Sequence, residues 1–147
     1  MLLYHFTSHA NLAEIIEAGL SRGDVPTGPG VGLQAVNLTS DGSPDGHGLD
    51  KAGHVWTEEE SRKVLASEGV WIPPGTVNEN KRAVRLTVKV KSSDRNLKRW
   101  LHWARKNVDA DYLAQIHRVA GKQGTWFLYF GTIPPSAITA VDVIDPA

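Results

Sequence analysis

The residues best suited to chemistry lie at the ends of two short apolar segments. The first segment, residues 2–6, runs directly into Thr7 and Ser8, and the second, residues 34–38, runs into another Thr-Ser pair. The polar side chains at these ends that indicate a binding site are His5, Thr7, Thr39 and Ser40. A neutral imidazole donates one hydrogen bond and accepts another, and a hydroxyl does both. Two strand ends of this kind predict a site for a hydroxyl-rich ligand such as a ribose.

The common catalytic motifs are missing from the sequence. The chain has no cysteine, and it contains no Gly-x-Ser-x-Gly elbow, Walker loop or His-Glu-x-x-His pair. A glycine-rich loop over residues 42–53 holds Asp45, His47 and Asp50, and His54 follows it. This spacing does not match a zinc site, so we expect no bound metal.

Length and composition indicate one globular domain over residues 1–147. Hydrophobic residues make up 41% of the chain and charged residues 22%, close to the average for globular domains. No segment approaches the roughly 20 apolar residues that a membrane-spanning helix needs, and the N-terminus lacks a signal-peptide pattern. With the absence of cysteine, these features predict a cytoplasmic protein that has no membrane partner. They leave the oligomeric state open.

The net charge of zero combines three unlike segments. Residues 1–80 carry a net charge of −7, residues 81–106 carry +9 and residues 107–147 carry −2. Because Lys and Arg pair with phosphates and aromatic rings stack on bases, the basic segment with Trp100 and Trp103 is a candidate nucleic-acid surface. The residues expected to contact such an acceptor are Arg85, Lys89, Lys98 and Arg99. A solvated strand face followed by a solvated helix face is the alternative.

Periodicity predicts the elements that position these side chains. Strict alternation over residues 82–90 predicts a strand with one basic face, and the apolar run over residues 126–130 predicts a central strand covered on both sides. Further strands are predicted over residues 2–6, 34–38, 70–72 and 138–144, and helices over residues 11–18, 58–67, 95–106 and 110–120. The glycines and prolines of residues 21–33 predict a loop.

Capping residues predict where the helices begin and end. Ser8, Asp94 and Asp109 are suited to N-cap positions because their side chains can accept a hydrogen bond from a free backbone N–H. Thr57 and the three glutamates after it fit a capping box, so we interpret that acidic cluster as a helix start rather than a catalytic carboxylate. Gly19 suits the position after a helix, with Leu20 packing back onto Ile15.

Several of these segments resemble the ADP-ribosyltransferase fold, most nearly its diphtheria-toxin-like and DNA-modifying branches. The resemblance lies in LYHFTS at residues 3–8, the helix over residues 12–20 and VNLTS at residues 36–40. Residues 129–138, which include GTIPP, are similar to the final strand pair of such proteins. The resemblance implies an α+β fold, a split sandwich of antiparallel sheets with short flanking helices, that binds NAD as substrate in the cleft between the sheets.

The same resemblance implies roles for the polar strand ends. His5 would hold a ribose hydroxyl of NAD, and Thr7 would contact adenosine or ribose beside it. Thr39 and Ser40 would line the cleft from the second strand. A histidine with its hydrogen bonds satisfied inside the core is the alternative for His5, since histidine is often partly buried.

One residue of the family pattern has no counterpart here. Active transferases of the family carry a Glu at the start of a late strand, where this chain has GKQGTW at residues 121–126. Gln123 is the residue of similar shape, but it carries no charge. An ordinary polar turn residue between two glycines is the alternative.

Three functions are consistent with these residues. The first is an ADP-ribosyltransferase-like protein that binds NAD or an ADP-ribosyl group and transfers ADP-ribose to a nucleic acid or protein. The second is a non-catalytic nucleotide or nucleic-acid binding module on the same fold, which the missing carboxylate favours. The third is an RNA 2′-phosphotransferase-like enzyme, which would need a basic phosphate-binding cluster near the cleft.

Overall fold

The computed structural model describes residues 1–49 and 53–146 and shows an α+β structure. The strands are β1 (Leu2–Thr7), β2 (Asp24–Gly28), β3 (Val31–Gln34), β4 (Val36–Thr39), β5 (Val84–Lys89), β6 (Leu97–Arg99), β7 (Trp126–Tyr129) and β8 (Ile138–Val143). The helices are α1 (His9–Ala18), α2 (Glu58–Glu68), α3 (Trp100–Asn107) and α4 (Ala110–Val119). The α+β class predicted from the sequence is confirmed.

Six of the strands form one antiparallel sheet in the order β6-β7-β4-β1-β5-β8, and β2 and β3 form a separate hairpin. β1 lies inside the sheet, with Tyr4 opposite Thr39 of β4 and His5 opposite Leu86 of β5. Successive side chains of a strand point to opposite faces. His5 therefore shares one face of the sheet with Leu3 and Thr7, and Tyr4 lies on the opposite face.

Each face of the sheet is covered by its own apolar cluster. On the first, which we call the α1 face, Leu3 packs with Leu38, Leu86 and Ile15 of α1. On the second, the α3 face, Leu128 packs with residues of β2 and α3. β7 contributes Phe127 to one cluster and Leu128 to the other, which confirms the central strand predicted there.

Two helix starts follow the sequence prediction. The Thr57 Oγ1 accepts from the Glu60 N–H at 3.2 Å, and the Glu60 carboxylate accepts from the Thr57 N–H at 3.1 Å. This reciprocal pair confirms the capping box of α2. At α4, the Asp109 carboxylate accepts from the Tyr112 N–H at 3.0 Å, which confirms that cap.

Three predicted elements are wrong. Residues 21–33, predicted as a loop, contain β2 and most of β3, whose glycines accommodate a tight hairpin that pairs irregularly between Pro26 and Gly28. Residues 70–72 form no strand. Asp94 does not cap a helix: residues 97–99 pair with β7 as β6, and α3 begins only at Trp100.

Ser8 occupies the N-cap position of α1, but its hydroxyl does not cap the helix. It donates instead to the Glu79 carboxylate at 2.8 Å, a partner 71 residues away. Hydrogen bonds to a charged acceptor are stronger than those to a neutral one, so the Ser8 side chain is oriented toward Glu79 and not toward the first turn of α1. The predicted capping bond is therefore wrong, although Ser8 does lie at the predicted N-cap position and α1 begins two residues before the predicted residue 11.

The end of α1 is fixed to the turn that follows β7. Gly19 has φ +85°, and its N–H donates to the Ile15 carbonyl at 2.7 Å. The next residue, Leu20, exchanges two backbone hydrogen bonds with Ile133, at 2.9 and 2.8 Å. A Cβ on Gly19 would overlap the Ile133 carbonyl. Close approach of two backbones, as well as positive φ, therefore requires glycine here.

Gly19→Ala should destabilise the protein more than Gly69→Ala. Both glycines have positive φ, but a Cβ on Gly69 would meet nothing within 4 Å. Positive φ alone costs an L-residue about 1 kcal/mol, and the clash with Ile133 should raise the cost at Gly19 to about 2 kcal/mol or more. Urea unfolding of both variants measures the difference. Equal losses of unfolding free energy in the two variants would show that the backbone at Ile133 can move away from the added Cβ without measurable cost.

No described helix has both the length and the apolar character needed to cross a membrane.

Asp50, which the sequence places in the glycine-rich loop beside His47, lies outside the described residues.

Candidate functional site

A pocket opens on the α1 face beside β1. Its volume is about 290 Å³, and it is lined by His5 and Thr7 of β1, by one side of α1 and by the turn that leads from Gly19 to Arg22. This size lies just below the usual range for small-ligand pockets, which is about 300–1,000 Å³. The pocket can thus enclose a sugar-sized group but not a whole nucleotide.

His5 is held as a neutral acceptor. Its Nδ1 lies 2.8 Å from the backbone carbonyl of Asn37, and because a carbonyl cannot donate, Nδ1 must carry the proton. Burial lowers the pKa of His5 below its ordinary value of about 6.5, and the weaker opposing effect of the Asn37 hydrogen bond does not reverse this. At neutral pH, Nε2 therefore has a free lone pair with which it can accept a hydrogen bond.

Thr7 and Asn11 extend the polar wall of the pocket. Thr7 is 4% exposed, and its hydroxyl accepts from the Asn11 amide at 3.4 Å across the first turn of α1. The bond is long, so the hydroxyl and the amide are both available to a better partner. Together with His5, these side chains provide donors and acceptors for the hydroxyls of a sugar.

The rim of the pocket carries opposite charges. Arg22 donates to the Glu14 carboxylate at 2.6 Å, and both residues line the pocket. Glu14 lies on α1 and Arg22 on the turn before β2, so the pair joins the two sides of the opening. A polar interior with a charged rim suits a ligand that contains both hydroxyls and charged groups.

Thr39 and Ser40 do not share this pocket with His5. Thr39 lies opposite Tyr4, and paired residues of antiparallel strands point to the same face, so Thr39 points to the α3 face. Its hydroxyl bonds the Thr125 hydroxyl at 2.9 Å and accepts from the Asp41 N–H at 3.0 Å. Ser40 is exposed, and its N–H donates to the Thr125 carbonyl at 2.9 Å.

Gln123 is an interior residue, 2% exposed. Its Oε1 accepts from the indole N–H of Trp100 at 2.7 Å, and its Nε2 donates to His117 Nδ1 at 3.3 Å. Because the amide is buried, a ligand could contact it only if the surrounding side chains moved. Trp100 is also buried, so the prediction that its ring stacks on bases is wrong.

Gln123→Leu should lower the free energy of unfolding by about 1–3 kcal/mol, because the Trp100 N–H would remain buried without an acceptor. Gln115→Leu on the exposed side of α4 is the matched control and should change stability by less than about 0.5 kcal/mol. Urea unfolding followed by tryptophan fluorescence measures both. Similar stabilities for the two variants would show that the Trp100 bond contributes nothing.

The four predicted acceptor residues do not form one patch. β5, with Arg85 and Lys89, and β6, with Lys98 and Arg99, are separated by β1, β4 and β7, a distance of roughly 19 Å at 4.8 Å per strand. The Arg85 guanidinium already donates to the Gly42 carbonyl at 2.7 Å and to Asp142 at 3.2 Å. Arg99 lies over the ring of Phe127, on the α1 face. The two basic pairs are thus separate features.

The sequence indicates His5 and Thr7 as pocket residues but not the other polar residues of the lining, which include Asn11, Glu14 and Arg22. Asn11 and Glu14 belong to the helix predicted over residues 11–18, and Arg22 belongs to the loop predicted over residues 21–33. The spacing of Asn11, Glu14, Ile15 and Ala18 follows one side of α1. That spacing could have identified Asn11 and Glu14, whereas Arg22 reaches the site only through the turn after Gly19.

No known protein family matches this sequence, and no curated protein or solved structure matches it either. The fold and the pocket define an α+β protein with a mostly antiparallel sheet and a polar pocket between β1 and α1.

Proposed function

We propose that this protein binds NAD or an ADP-ribosyl group in the pocket between β1 and α1. The observation that supports this most directly is the fixed tautomer of His5, which leaves Nε2 as an acceptor beside Thr7 and Asn11. A ribose presents adjacent hydroxyls that can donate to such an acceptor. The resemblance of residues 3–8 to the ADP-ribosyltransferase fold implies the same role for His5.

The size of the pocket limits what it encloses. A volume of about 290 Å³ is suited to one ribose and part of its base, so the remainder of a dinucleotide would extend past the rim. The charged pair at that rim is where the phosphates would emerge. On this proposal the chain adopts an ADP-ribosyltransferase-like architecture with the ligand on the α1 face.

Binding without rapid transfer is the form of this function that the geometry favours. Gln123, the residue proposed in place of the late-strand Glu, is buried on Trp100 and carries no charge. Preorganised charges of this kind contribute about a hundredfold to a thousandfold to rate. Transfer of ADP-ribose would need another carboxylate, and Glu14 is the acidic residue that lines the described pocket.

His5→Asn should weaken ADP-ribose binding by about twofold to tenfold, the effect of losing one hydrogen bond to the ligand. The shorter amide keeps a donor for the Asn37 carbonyl but removes the Nε2 acceptor, so the fold should be retained. Isothermal titration calorimetry of the wild type and the variant with ADP-ribose and NAD measures this.

His102→Asn is the control for that experiment, since His102 is an exposed residue of α3 outside the pocket, and it should leave affinity unchanged. Equal affinity in the wild type and His5→Asn, with both folded, would remove His5 from the site. A wild-type chain that binds neither ligand would contradict the proposed function itself.

Binding should also weaken as the pH falls. The acceptor role requires neutral His5, so affinity should be constant from pH 8 to about 6.5 and decrease below the lowered pKa of His5, by at most about tenfold per pH unit. His5→Asn should abolish that dependence. A rise in affinity at low pH would instead show that protonated His5 donates to a phosphate.

The pH dependence of folding stability sets the lowest pH at which binding can be measured on the folded protein. Burial lowers the pKa of both His5 and His47 in the folded state, so the unfolded chain binds protons first as the pH drops below about 6.5. The stability contributed by neutral burial is therefore complete above that pH and is lost as the pH falls through the folded-state pKa values. Circular dichroism at each pH identifies the range in which binding reports on the folded protein.

A further inference from the structure

The ion pair at the rim of the pocket is exposed to solvent and therefore weak. Arg22 and Glu14 are 2.6 Å apart, and their side chains are 71% and 65% exposed. Exposed pairs of this kind contribute about 0–1 kcal/mol to stability. Arg22 can therefore leave Glu14 at little cost when a stronger anionic partner arrives.

Arg22 and Glu14 are also the charged residues of the described pocket lining. Among the described residues that line it, Arg22 is the permanent cation and Glu14 the carboxylate, while His5 is neutral at pH 7. A guanidinium presents a planar set of donors that matches two phosphate oxygens at once. The end of the pocket that Arg22 occupies is thus suited to the phosphates of a nucleotide.

We propose that Arg22 binds the diphosphate of the ligand and that Glu14 competes with it by holding the guanidinium before the ligand binds. This inference rests on the proposed function, because it assigns the phosphates of that ligand to Arg22 while His5 takes a ribose. The Glu14 carboxylate also repels an incoming phosphate. The two members of one ion pair should therefore affect affinity in opposite directions.

The position of Arg22 supports this arrangement. The turn that carries it starts at Leu20, which is fixed to Ile133 by two backbone hydrogen bonds. It ends near Gly23, whose carbonyl accepts from the Ala35 N–H at 3.0 Å. Arg22 thus projects from a short turn anchored at both ends, so its backbone stays in place while its long side chain changes partner.

The experiment measures the affinity of Arg22→Gln and Glu14→Gln for ADP-ribose, adenosine and inorganic pyrophosphate by calorimetry at constant ionic strength. Arg22→Gln should weaken ADP-ribose and pyrophosphate by about threefold to tenfold and leave adenosine within about twofold. Glu14→Gln should tighten ADP-ribose and pyrophosphate by about twofold to fivefold, the range that release from an exposed pair allows.

The chain provides a closely matched control. Arg62 and Glu58 of α2 form an ion pair at 2.7 Å with side-chain exposures of 72% and 65%, and neither residue lines the pocket. Arg62→Gln and Glu58→Gln should leave the affinity for all three ligands unchanged. Changes equal to those at Arg22 and Glu14 would mean that the effects report net charge alone, which would overturn the proposal.

The remaining outcomes separate the two proposals. If Glu14→Gln and Arg22→Gln both weaken binding, the pair is a structural clip or Glu14 itself binds the ligand, and the competition is contradicted. If ADP-ribose binds in a way that depends on His5 while Arg22→Gln has no effect, the diphosphate assignment fails and the proposed function stands. If the wild type binds neither ADP-ribose nor pyrophosphate, both proposals fail.

Discussion

The pairing of β1 between β4 and β5 is the constraint on which the rest of the structure depends. Six residue pairs join β1 to β5, and every second one buries an apolar side chain of β5 on the α1 face. A shift of the register by one residue would move all of these side chains to the opposite face. It would also move His5 away from α1. The burial of Val84, Leu86 and Val88 therefore fixes the location of the imidazole that the proposed site uses.

The pocket itself is assembled from one continuous stretch of chain. All of its lining residues lie between His5 and Arg22, a strand, a helix and a turn in succession. The remainder of the protein supports this stretch from outside: Asn37 orients the imidazole, and Ile133 anchors the turn. Substitutions in the lining could thus change the ligand without altering the sheet, whereas substitutions at the two supports would act on stability and binding together.

The opposite face of the sheet uses similar polar residues for a different purpose. Gln123 accepts from Trp100, and His47 accepts from the Trp126 indole at 2.8 Å while donating to the Ser43 carbonyl at 3.0 Å. Both hydrogen-bonding groups of the His47 ring are therefore occupied, in contrast to His5. Buried polar groups need such partners, because an unpaired one costs about 1–3 kcal/mol. A glutamine or histidine that suggests a catalytic role in the sequence can instead provide a hydrogen-bond partner for a buried polar group.

Local patterns were sufficient where the physical cause is local. Alternation over residues 82–90 predicts the strand that is observed as β5, the Thr57–Glu60 pair predicts the start of α2, and Asp109 predicts that of α4, because each depends on neighbours within a few residues. The sequence pattern does not predict the hairpin of β2 and β3, and it assigns Asp94 to a cap that does not form. In both cases the outcome depends on strand pairing, which turn residues alone do not specify.

The same distinction between local and tertiary causes applies to the candidate site. The sequence alone predicts that His5 and Thr7 lie on a strand that leads into a helix, and the absence of cysteine excludes thiol chemistry. Tertiary packing is what turns Thr39 away from them, buries Gln123 against Trp100 and brings Arg22 to Glu14. The physical reason is that the face on which a strand residue lies follows from its register with a distant strand. Burial and ion pairing likewise follow from which segments are packed together, and no local pattern encodes either.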